Sequence, residues 1–169
     1  MLWAGRLDTD KRPDLLRAIA ERLPALRFHV YGTPVLHDDS ELRRLRAVPN
    51  IDYRGPFSGF DSIAAAPYHC FLYTSRCDGQ PNVLLEAMQS GLLVVASDVG
   101  AVAEVVGDET GVLVRPADEP AAYAEAIGRT LRDGQTWRRV AANGQRHVAA
   151  NFTTAAFRET LRTLPGYLS

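Results

Sequence analysis

Six short runs of apolar, aromatic and β-branched residues alternate with helical patterns between residues 2 and 115. This alternation is typical of βαβ units, which build a parallel sheet with helices on its faces. We predict strands over residues 2–6, 27–32, 50–55, 69–74, 92–97 and 111–115. Apolar residues at helical spacing predict helices over 12–23, 40–48 and, more weakly, 60–67. The predicted fold is α/β: a Rossmann-like, doubly wound parallel sheet of about six strands with helices on both faces.

The chain becomes helical after the last predicted strand, over 119–134, 135–152 and 153–164, with Gly134 and Pro165 as candidate stops. Its 169 residues suit one hydrophobic core, and no linker or repeat divides them. We therefore predict a single domain over residues 1–169 with a helical C-terminal tail.

Charge and composition narrow the classes of ligand. The formal net charge of −1 gives no general field for nucleic acid, so local charges must hold any anionic ligand. No stretch approaches the roughly 18 uncharged apolar residues of a membrane span, and the N-terminus lacks a signal-peptide pattern. We expect a cytoplasmic protein in which Cys70 and Cys77 are free thiols. Histidines 29, 37, 69 and 147 show no ligand spacing, and we assign them no chemistry.

The stretch NVLLEAMQSG, residues 82–91, carries a single charge, Glu86. Asn82 suits the N-cap, residues 83–90 the helix, and Gly91 the position just past its end. Because apolar residues surround this helix on nearly all sides, we expect it to pack within the protein, where an unpaired carboxylate is costly. Three explanations of Glu86 remain open. Its charge could interact favourably with the positive, N-terminal end of the helix dipole, it could pair with a buried arginine, or it could accept hydrogen bonds from ligand hydroxyls.

A second carboxylate, Asp78, lies eight residues upstream in the turn RCDGQP. Gly79 allows unusual backbone angles there, and the free N–H groups at the start of the next helix form a natural anion site. Taken alone, DGQP is most often only a surface turn.

The 19 basic residues are 18 arginines and one lysine, Lys11. Either the genome favours arginine, or position 11 requires a compact charge on a flexible stem. A sheet of order 3-2-1-4-5-6 has its crevice between the carboxyl ends of strands 1 and 4. Arg6 and Lys11 follow strand 1, and Asp78 and Glu86 follow strand 4, so the two groups are predicted to converge.

Four segments resemble the C-terminal, donor-binding half of a GT-B glycosyltransferase, family 4 in particular: WAGRLDTDKRPDLL, NIDYRGPFSGF, LYTSRCDGQPNVLLEAMQSGLLVVASDVGAVAEVV and TGVLVRPADEPAAYAEAI. The resemblance implies that Glu86 holds the ribose hydroxyls of a nucleotide-sugar donor. It implies that Asp78, in place of a family glutamate, contacts the donor sugar. Arg6 and Lys11 fall on the family's diphosphate-binding cations, which favours a functional reason for the lysine. The expected catalytic residues are Arg6, Lys11 and Asp78, and the expected donor-binding residues are Gly5, Gly32, Gly79, Asn82, Val83 and Glu86.

The spacing Asp8-x-Asp10 is one that metal-dependent glycosyltransferases use to bind a divalent ion. Here Arg6 and Lys11 flank the two acids and can neutralise a diphosphate themselves, so we expect no metal and no cofactor besides the donor. The resemblance implies metal-independent, retaining transfer of a sugar from a UDP-, GDP- or ADP-sugar to an acceptor.

Members of the resembling family carry a separate N-terminal domain that binds the acceptor, whereas this chain starts at the first strand of the donor domain. The expectation is an incomplete glycosyltransferase that is inactive alone; this sequence shows no transmembrane segment, and peripheral membrane association is possible for the full enzyme. The alternatives are a non-catalytic nucleotide-sugar-binding module, half of a GT-B-like epimerase, and a structural or signalling domain of flavodoxin type.

Overall fold

The structure is a computed structural model that describes residues 1–35, 39–63, 67–79 and 81–163. Within these ranges the strands are β1 (Leu2–Ala4), β2 (Phe28–Tyr31), β3 (Ile51–Gly55), β4 (Cys70–Tyr73), β5 (Leu93–Ser97) and β6 (Val112–Val114). The helices are α1 (Pro13–Arg22), α2 (Ser40–Arg46), α3 (Asn82–Gln89), α4 (Val102–Val105), α5 (Pro120–Arg132), α6 (Gly134–Asn151) and α7 (Thr154–Thr163). None of these described helices combines the length and the apolar composition that crossing a bilayer requires.

The six strands form one parallel sheet in the order β3-β2-β1-β4-β5-β6. Every observed strand lies within its predicted range, and the predicted order is confirmed. All residues of the central strands β4 and β5 are buried, as expected for a parallel sheet that is covered on both faces. The order reverses between β1 and β4, so the connections leave their carboxyl ends in opposite directions and open a crevice.

Helices cover both faces of the sheet, as predicted. On one face, α1, α2 and α5 pack on the side chains of Trp3, Phe28, Val30, Leu72 and Val95. On the other face, α3 and α4 pack on the side chains of Leu2, Ala4, Phe71, Tyr73 and Val94. Helix α6 packs against the side chains of both faces. Val140 and Ala141 belong to the buried cluster on the first face, and Val148 belongs to the cluster on the second.

Helix α3 differs from its prediction in two respects. It starts at Asn82 rather than after it, because Pro81 takes the N-cap position with extended backbone (φ −75°, ψ 102°). The prediction that it is enclosed on nearly all sides is wrong: Leu84, Ala87 and Met88 are buried, but Glu86 is exposed. The helix packs on the sheet and on α6, while Asn82, Glu86 and Gln89 are exposed on its other side. Gly91 follows the helix with φ +76°, as predicted.

Some predictions fall at the limits of the described residues. Of the weak helical pattern over 60–67, the described part forms one 3-10 turn, Phe60–Ser62. Residues 64–66, Pro165 and His37 lie outside the described ranges. Gly134 is not the stop that the sequence predicts: α5 ends at Arg132, Asp133 separates the two helices as the N-cap of α6, and Gly134 is the first residue of α6.

Glycines allow the turns after the first three strands to pack directly on one another. The N–H of Gly5 donates to the carbonyl of Tyr31 (3.1 Å), and the N–H of Gly32 donates to the carbonyl of Gly55 (2.9 Å). A Cβ atom at Gly32 would lie 2.1 Å from the carbonyl oxygen of Gly5, far inside van der Waals contact. This close approach fixes where the chain leaves β1 and enters the crevice.

We expect Gly32→Ala to lower the free energy of unfolding by more than about 2 kcal/mol, because the added methyl group meets backbone. Gly128 in α5 is the matched control, since a Cβ there would make only ordinary contact, 3.7 Å from Arg132. Gly128→Ala should stabilise the protein by roughly 0.5–1 kcal/mol through helix propensity. Urea denaturation followed by circular dichroism measures both values. Equal stability of Gly32→Ala and the unmodified chain would contradict the close approach.

Candidate functional site

A groove of about 310 Å³ opens at the carboxyl ends of β1 and β4. Its lining comes from the end of β1 and the loop after it, the loop after β3, the turn between β4 and α3, and the start of α3: Ala4, Gly5, Arg6, Lys11, Phe57, Asp78, Pro81, Asn82 and Val83. Six residues chosen from the sequence therefore meet in one groove: Gly5, Arg6, Lys11, Asp78, Asn82 and Val83. The groove lies at the crevice that the strand order predicts, and these six predicted residues form most of its lining.

Lys11 and Asp78 form an ion pair inside this groove, with 2.6 Å between Nζ and Oδ2. Both side chains are largely covered, with 22% and 19% of their surfaces exposed. The hydroxyl of Tyr73 donates to the same Oδ2 atom. Burial alone would raise the pKa of Asp78, but the hydrogen bonds from Lys11 and Tyr73 outweigh it and lower the pKa below its ordinary value. Asp78 therefore remains a carboxylate.

Arg6 lies at the mouth of the groove and is held by the two acids that follow it. Its Nε donates to Asp8 (2.5 Å), and its guanidinium lies 3.8 Å from Asp10. The other oxygen of Asp8 accepts the backbone N–H groups of Asp10 (3.1 Å) and Lys11 (2.9 Å). Burial acts to raise the pKa of Asp8, yet the hydrogen bond from Arg6 and the two backbone donors lower it overall. Asp8 is thus the residue that shapes this loop.

Strand β1 and the loop after it are tied to the residues that follow β4 by three hydrogen bonds, one from the strand and two from the loop. The buried hydroxyl of Thr74 donates to the carbonyl of Lys11 (2.7 Å) and accepts the indole N–H of Trp3 (2.9 Å). The N–H of Arg76 donates to the carbonyl of Asp10 (2.8 Å). Arg12, at the start of α1, completes the turn with a left-handed backbone (φ +57°). Lys11 is therefore held by its backbone against a buried strand end.

The start of α3 faces the groove with Asn82 and Val83. No described side chain caps this end of the helix. The first N–H groups of an α-helix have no partner within the helix, and they carry its partial positive charge. The groove therefore combines two cations with backbone donors that suit an anion.

Glu86 lies one helical turn beyond Asn82 on the same side of α3. Its exposed carboxylate has no hydrogen bond or ion pair within the described part of the chain. Partial burial, and then the nearby Asp61, raise the pKa of Glu86 above its ordinary value. Both structural explanations are wrong, because Glu86 neither pairs with a buried arginine nor lies in the first turn of its helix. The carboxylate is available beside the groove.

Two further predicted residues lie near the groove without lining it. Gly32 is buried beneath Gly5, and the fold requires a glycine there whether or not it contacts a ligand. Gly79 is exposed next to Asp78, with nothing within 4 Å of an added Cβ atom. Ligand contact by Gly32 and Gly79 stays a prediction.

The sequence interpretation missed Tyr73 and Phe57. Tyr73 has the appearance of an apolar strand residue, and only its contact with Asp78 identifies it. Phe57 follows the carboxyl end of β3, and that position relative to the crevice is the one signal that could have indicated it.

The two cysteines, and the histidines at positions 29 and 69, lie outside the groove. Cys70 is buried in β4, where burial raises the pKa of its thiol to about 12, and Cys77 is an exposed free thiol. His29 hydrogen-bonds Tyr68 (3.0 Å), and His69 contacts the ring of Trp137. Among the described residues, no three His, Cys, Asp or Glu side chains are grouped as a metal ion would require.

A larger cavity of about 410 Å³ lies on the other side of the loop after β1, next to Leu7, Pro13 and Val35. It includes Arg12, whose guanidinium is already bound by Asp14 at 3.0 Å. The residues predicted from the sequence meet in the smaller groove and not in this cavity.

Comparison with known proteins is consistent with this geometry. The family model described as "Glycosyl transferases group 1" matches residues 1–133. The D-inositol 3-phosphate glycosyltransferase of Corynebacterium diphtheriae is 32% identical over 188 residues, which cover 98% of this chain and 42% of that relative.

Solved structures of similar fold include the sucrose-phosphate synthase from Thermosynechococcus elongatus, with a TM-score of 0.82 and 25% identity over 95% of this chain and 43% of that one. Anabaena Alr3699/HepE, solved in complex with UDP and glucose, has a TM-score of 0.80 over 96% of this chain and 48% of that one. At 21% identity this second likeness shows the fold alone. The chain spans less than half the length of each of these relatives.

Removing the hydroxyl that ties the two loops should destabilise the protein. Thr74→Val keeps the volume but leaves the indole N–H of Trp3 and the carbonyl of Lys11 without their partner, and should lower the free energy of unfolding by about 2 kcal/mol. Thr160→Val is the matched control, because that hydroxyl bonds a carbonyl on the exposed surface of α7. The control should change stability by less than about 0.5 kcal/mol in the same urea titration. Similar values for the two variants would exclude Thr74 as a tie between the loops.

Proposed function

The chain belongs to the group 1 glycosyl transferases, and we propose that residues 1–169 form a donor-binding domain that holds a nucleoside diphosphate sugar. One observation carries the proposal: Arg6, Lys11 and the start of α3 meet in a single groove at the point where the strand order reverses. This is where open α/β sheets bind their ligands. The reaction that the domain would serve is transfer of the sugar to an acceptor.

In this proposal the diphosphate lies against Lys11, Arg6 and the free N–H groups at the start of α3. When the bond to the sugar breaks, negative charge develops on the leaving diphosphate, and fixed cations stabilise it more than they stabilise the bound donor. Lys11 and Arg6 are each paired with a carboxylate and would share their remaining N–H donors with the diphosphate, while α3 would add oriented backbone donors. We propose metal-independent binding on this basis.

The carboxylates contact the hydroxyl groups of the donor. Glu86 is exposed, has no partner in the described chain and lies one turn along α3 from the groove, which suits hydrogen bonds from the ribose. Asp78 lines the groove itself and would accept a hydroxyl of the sugar. We propose a uridine, guanosine or adenosine diphosphate as the nucleotide part of the donor.

The acceptor is proposed to bind outside the region that this chain matches. The matched relatives are more than twice as long as the matched region, and the groove described here is open on one side. A second domain over that side would exclude water from the sugar and orient the acceptor hydroxyl, which accounts for a large part of the rate of such reactions.

Calorimetry with UDP, GDP and ADP in the presence of EDTA tests the proposed site. We expect at least one nucleotide to bind, and chelation to leave the affinity unchanged. Lys11→Ala and Arg6→Ala should each weaken the diphosphate about 10-fold or more while changing the affinity for the matching nucleoside little, because these cations act on phosphate. Arg22→Ala removes an exposed cation at the end of α1 and is the control that should leave both affinities unchanged.

Each alternative predicts a different result. Strict dependence on a divalent ion would revive a metal site at Asp8 and Asp10. A fold without any nucleotide affinity would overturn the proposal in favour of a structural domain. Binding that persists without transfer, even after an acceptor-binding domain is supplied, would favour a non-catalytic module.

Glu86→Gln should weaken nucleotide binding by roughly 10- to 150-fold, because hydrogen bonds to a charged acceptor are worth about 1.5–3 kcal/mol. The 2′-deoxy form of the same nucleotide should lose less, since it offers one hydroxyl fewer. Glu125→Gln, on the exposed side of α5, removes the same charge away from the groove. If Glu86→Gln and Glu125→Gln bind the nucleotide equally well, Glu86 lies outside the site.

A further inference from the structure

Tyr73 contacts both members of the ion pair in the groove. It is the last residue of β4 and is 3% exposed. Its hydroxyl donates to Oδ2 of Asp78, the same atom that lies 2.6 Å from Nζ of Lys11. The ammonium of Lys11 also lies 5.5 Å from the centroid of the Tyr73 ring, within the range of a cation–π interaction. Tyr73 therefore faces the anion with its hydroxyl and the cation with its ring.

The direction of these hydrogen bonds is fixed over the ordinary pH range. Burial, and then the hydrogen bond to Asp78, raise the pKa of Tyr73, so its hydroxyl keeps its proton. The pKa of Asp78 is lowered, so the carboxylate keeps its charge. Other groups near the pair are Arg6, which is attracted by Asp78, and Cys77, which is adjacent to it in sequence. In the bond between them, the tyrosine hydroxyl can thus only donate and Asp78 can only accept.

Of the three side chains, Tyr73 is the one held rigidly by its surroundings. Lys11 carries its charge on a flexible four-carbon stem, and Asp78 lies in the turn between β4 and α3. Tyr73 lies within the sheet, and its ring packs in the buried cluster around Phe71 and Leu84. A fixed donor on a strand is the kind of support that holds a functional charge within a fraction of an ångström.

We infer that Tyr73 is a positioning residue for Lys11: its hydroxyl fixes Asp78 where that carboxylate holds the lysine ammonium against the groove. The inference rests on the proposed function, in which Lys11 binds phosphate. An ammonium has three N–H donors. One is taken by Asp78, and the other two remain for the oxygens of a phosphate, with their directions set by the first.

The test uses Tyr73→Phe, which removes the hydroxyl and keeps the ring. The probe is whichever of UDP, GDP and ADP the unmodified chain binds. We expect Tyr73→Phe to weaken the diphosphate roughly three- to tenfold while the affinity for the matching nucleoside stays the same, because only the placement of Lys11 changes. In an Asp78→Ala background, which removes the acceptor, the same substitution should have no further effect, since the hydroxyl acts through that carboxylate.

A second measurement follows Lys11 directly, because it is the one lysine among the 169 residues. Selective ¹⁵N-lysine labelling therefore gives a single side-chain ammonium signal. A carboxylate of depressed pKa keeps its ion pair as the pH falls and loses it only near its folded-state pKa. Removing the Tyr73 donor should raise the pKa of Asp78, so the paired ammonium signal should be lost at a higher pH in Tyr73→Phe than in the unmodified chain.

Tyr123→Phe is the matched control. Tyr123 is fully buried in α5, and its hydroxyl donates to the carbonyl of Ala117 (2.9 Å). The control also loses one buried tyrosine hydroxyl. It should leave unchanged both the diphosphate affinity and the pH at which the paired ammonium signal is lost.

The outcomes separate the two proposals. Suppose that the unmodified chain binds a nucleotide, and that Tyr73→Phe changes neither the diphosphate affinity nor the pH at which the paired ammonium signal is lost. The inference is then wrong and the proposed function stands. If Tyr73→Phe weakens nucleoside and diphosphate alike, or weakens the diphosphate equally in the Asp78→Ala background, its effect does not pass through Asp78 and the inference is again wrong. If none of the three nucleotides binds the unmodified chain, the proposed function fails and the role of Tyr73 in binding phosphate fails with it.

Discussion

Hydrogen bonds between the loop after β1 and the end of β4 hold the candidate site together. The hydroxyl of Thr74 donates to the carbonyl of Lys11, and the N–H of Arg76 donates to the carbonyl of Asp10. The two strands themselves pair at one register position, Leu2 with Phe71. Their connections then leave in opposite directions, because the strand order reverses here. Without these bonds, the charges on the two loops would be free to move independently of each other.

The electrostatics of the groove are local rather than general. Arg6 is paired with Asp8, and Lys11 is paired with Asp78, so each cation already has a carboxylate beside it. This fits a chain whose formal net charge is −1 and which has no broad positive field. In the proposed function, a phosphate in the groove would share each cation with its carboxylate. Sharing requires that the unused N–H donors point toward the ligand, and the geometry of the pairs sets that direction.

Helix α3 has one buried side and one exposed side, and the exposed side lies next to the groove. Leu84, Ala87 and Met88 bury the inner side of the helix, while Glu86 remains exposed on the other. The same helix therefore anchors the site to the core and presents a carboxylate that no described side chain neutralises. The nearby Asp61 adds to the effect of partial burial and raises the pKa of Glu86 further, which disfavours its charged form in the free chain. Hydrogen bonds from ligand hydroxyls would relieve this penalty.

The sequence by itself determined the six strands, their order and most of the residues in the groove. Hydrophobic periodicity and turn residues are local signals, and the strand order then brings the residues after β1 and β4 together. The sequence alone is therefore enough to predict that Arg6, Lys11 and Asp78 converge. Tertiary structure alone decided the partners of those charges and the exposure of Glu86. The hydrogen bond that joins Tyr73 to Asp78, and the ion pair that joins Lys11 to Asp78, depend on the packing of side chains from separate elements. The exposed side of α3 was likewise decided by tertiary structure. Apolar residues lie on nearly all sides of this helix, so its composition does not determine which side another element covers.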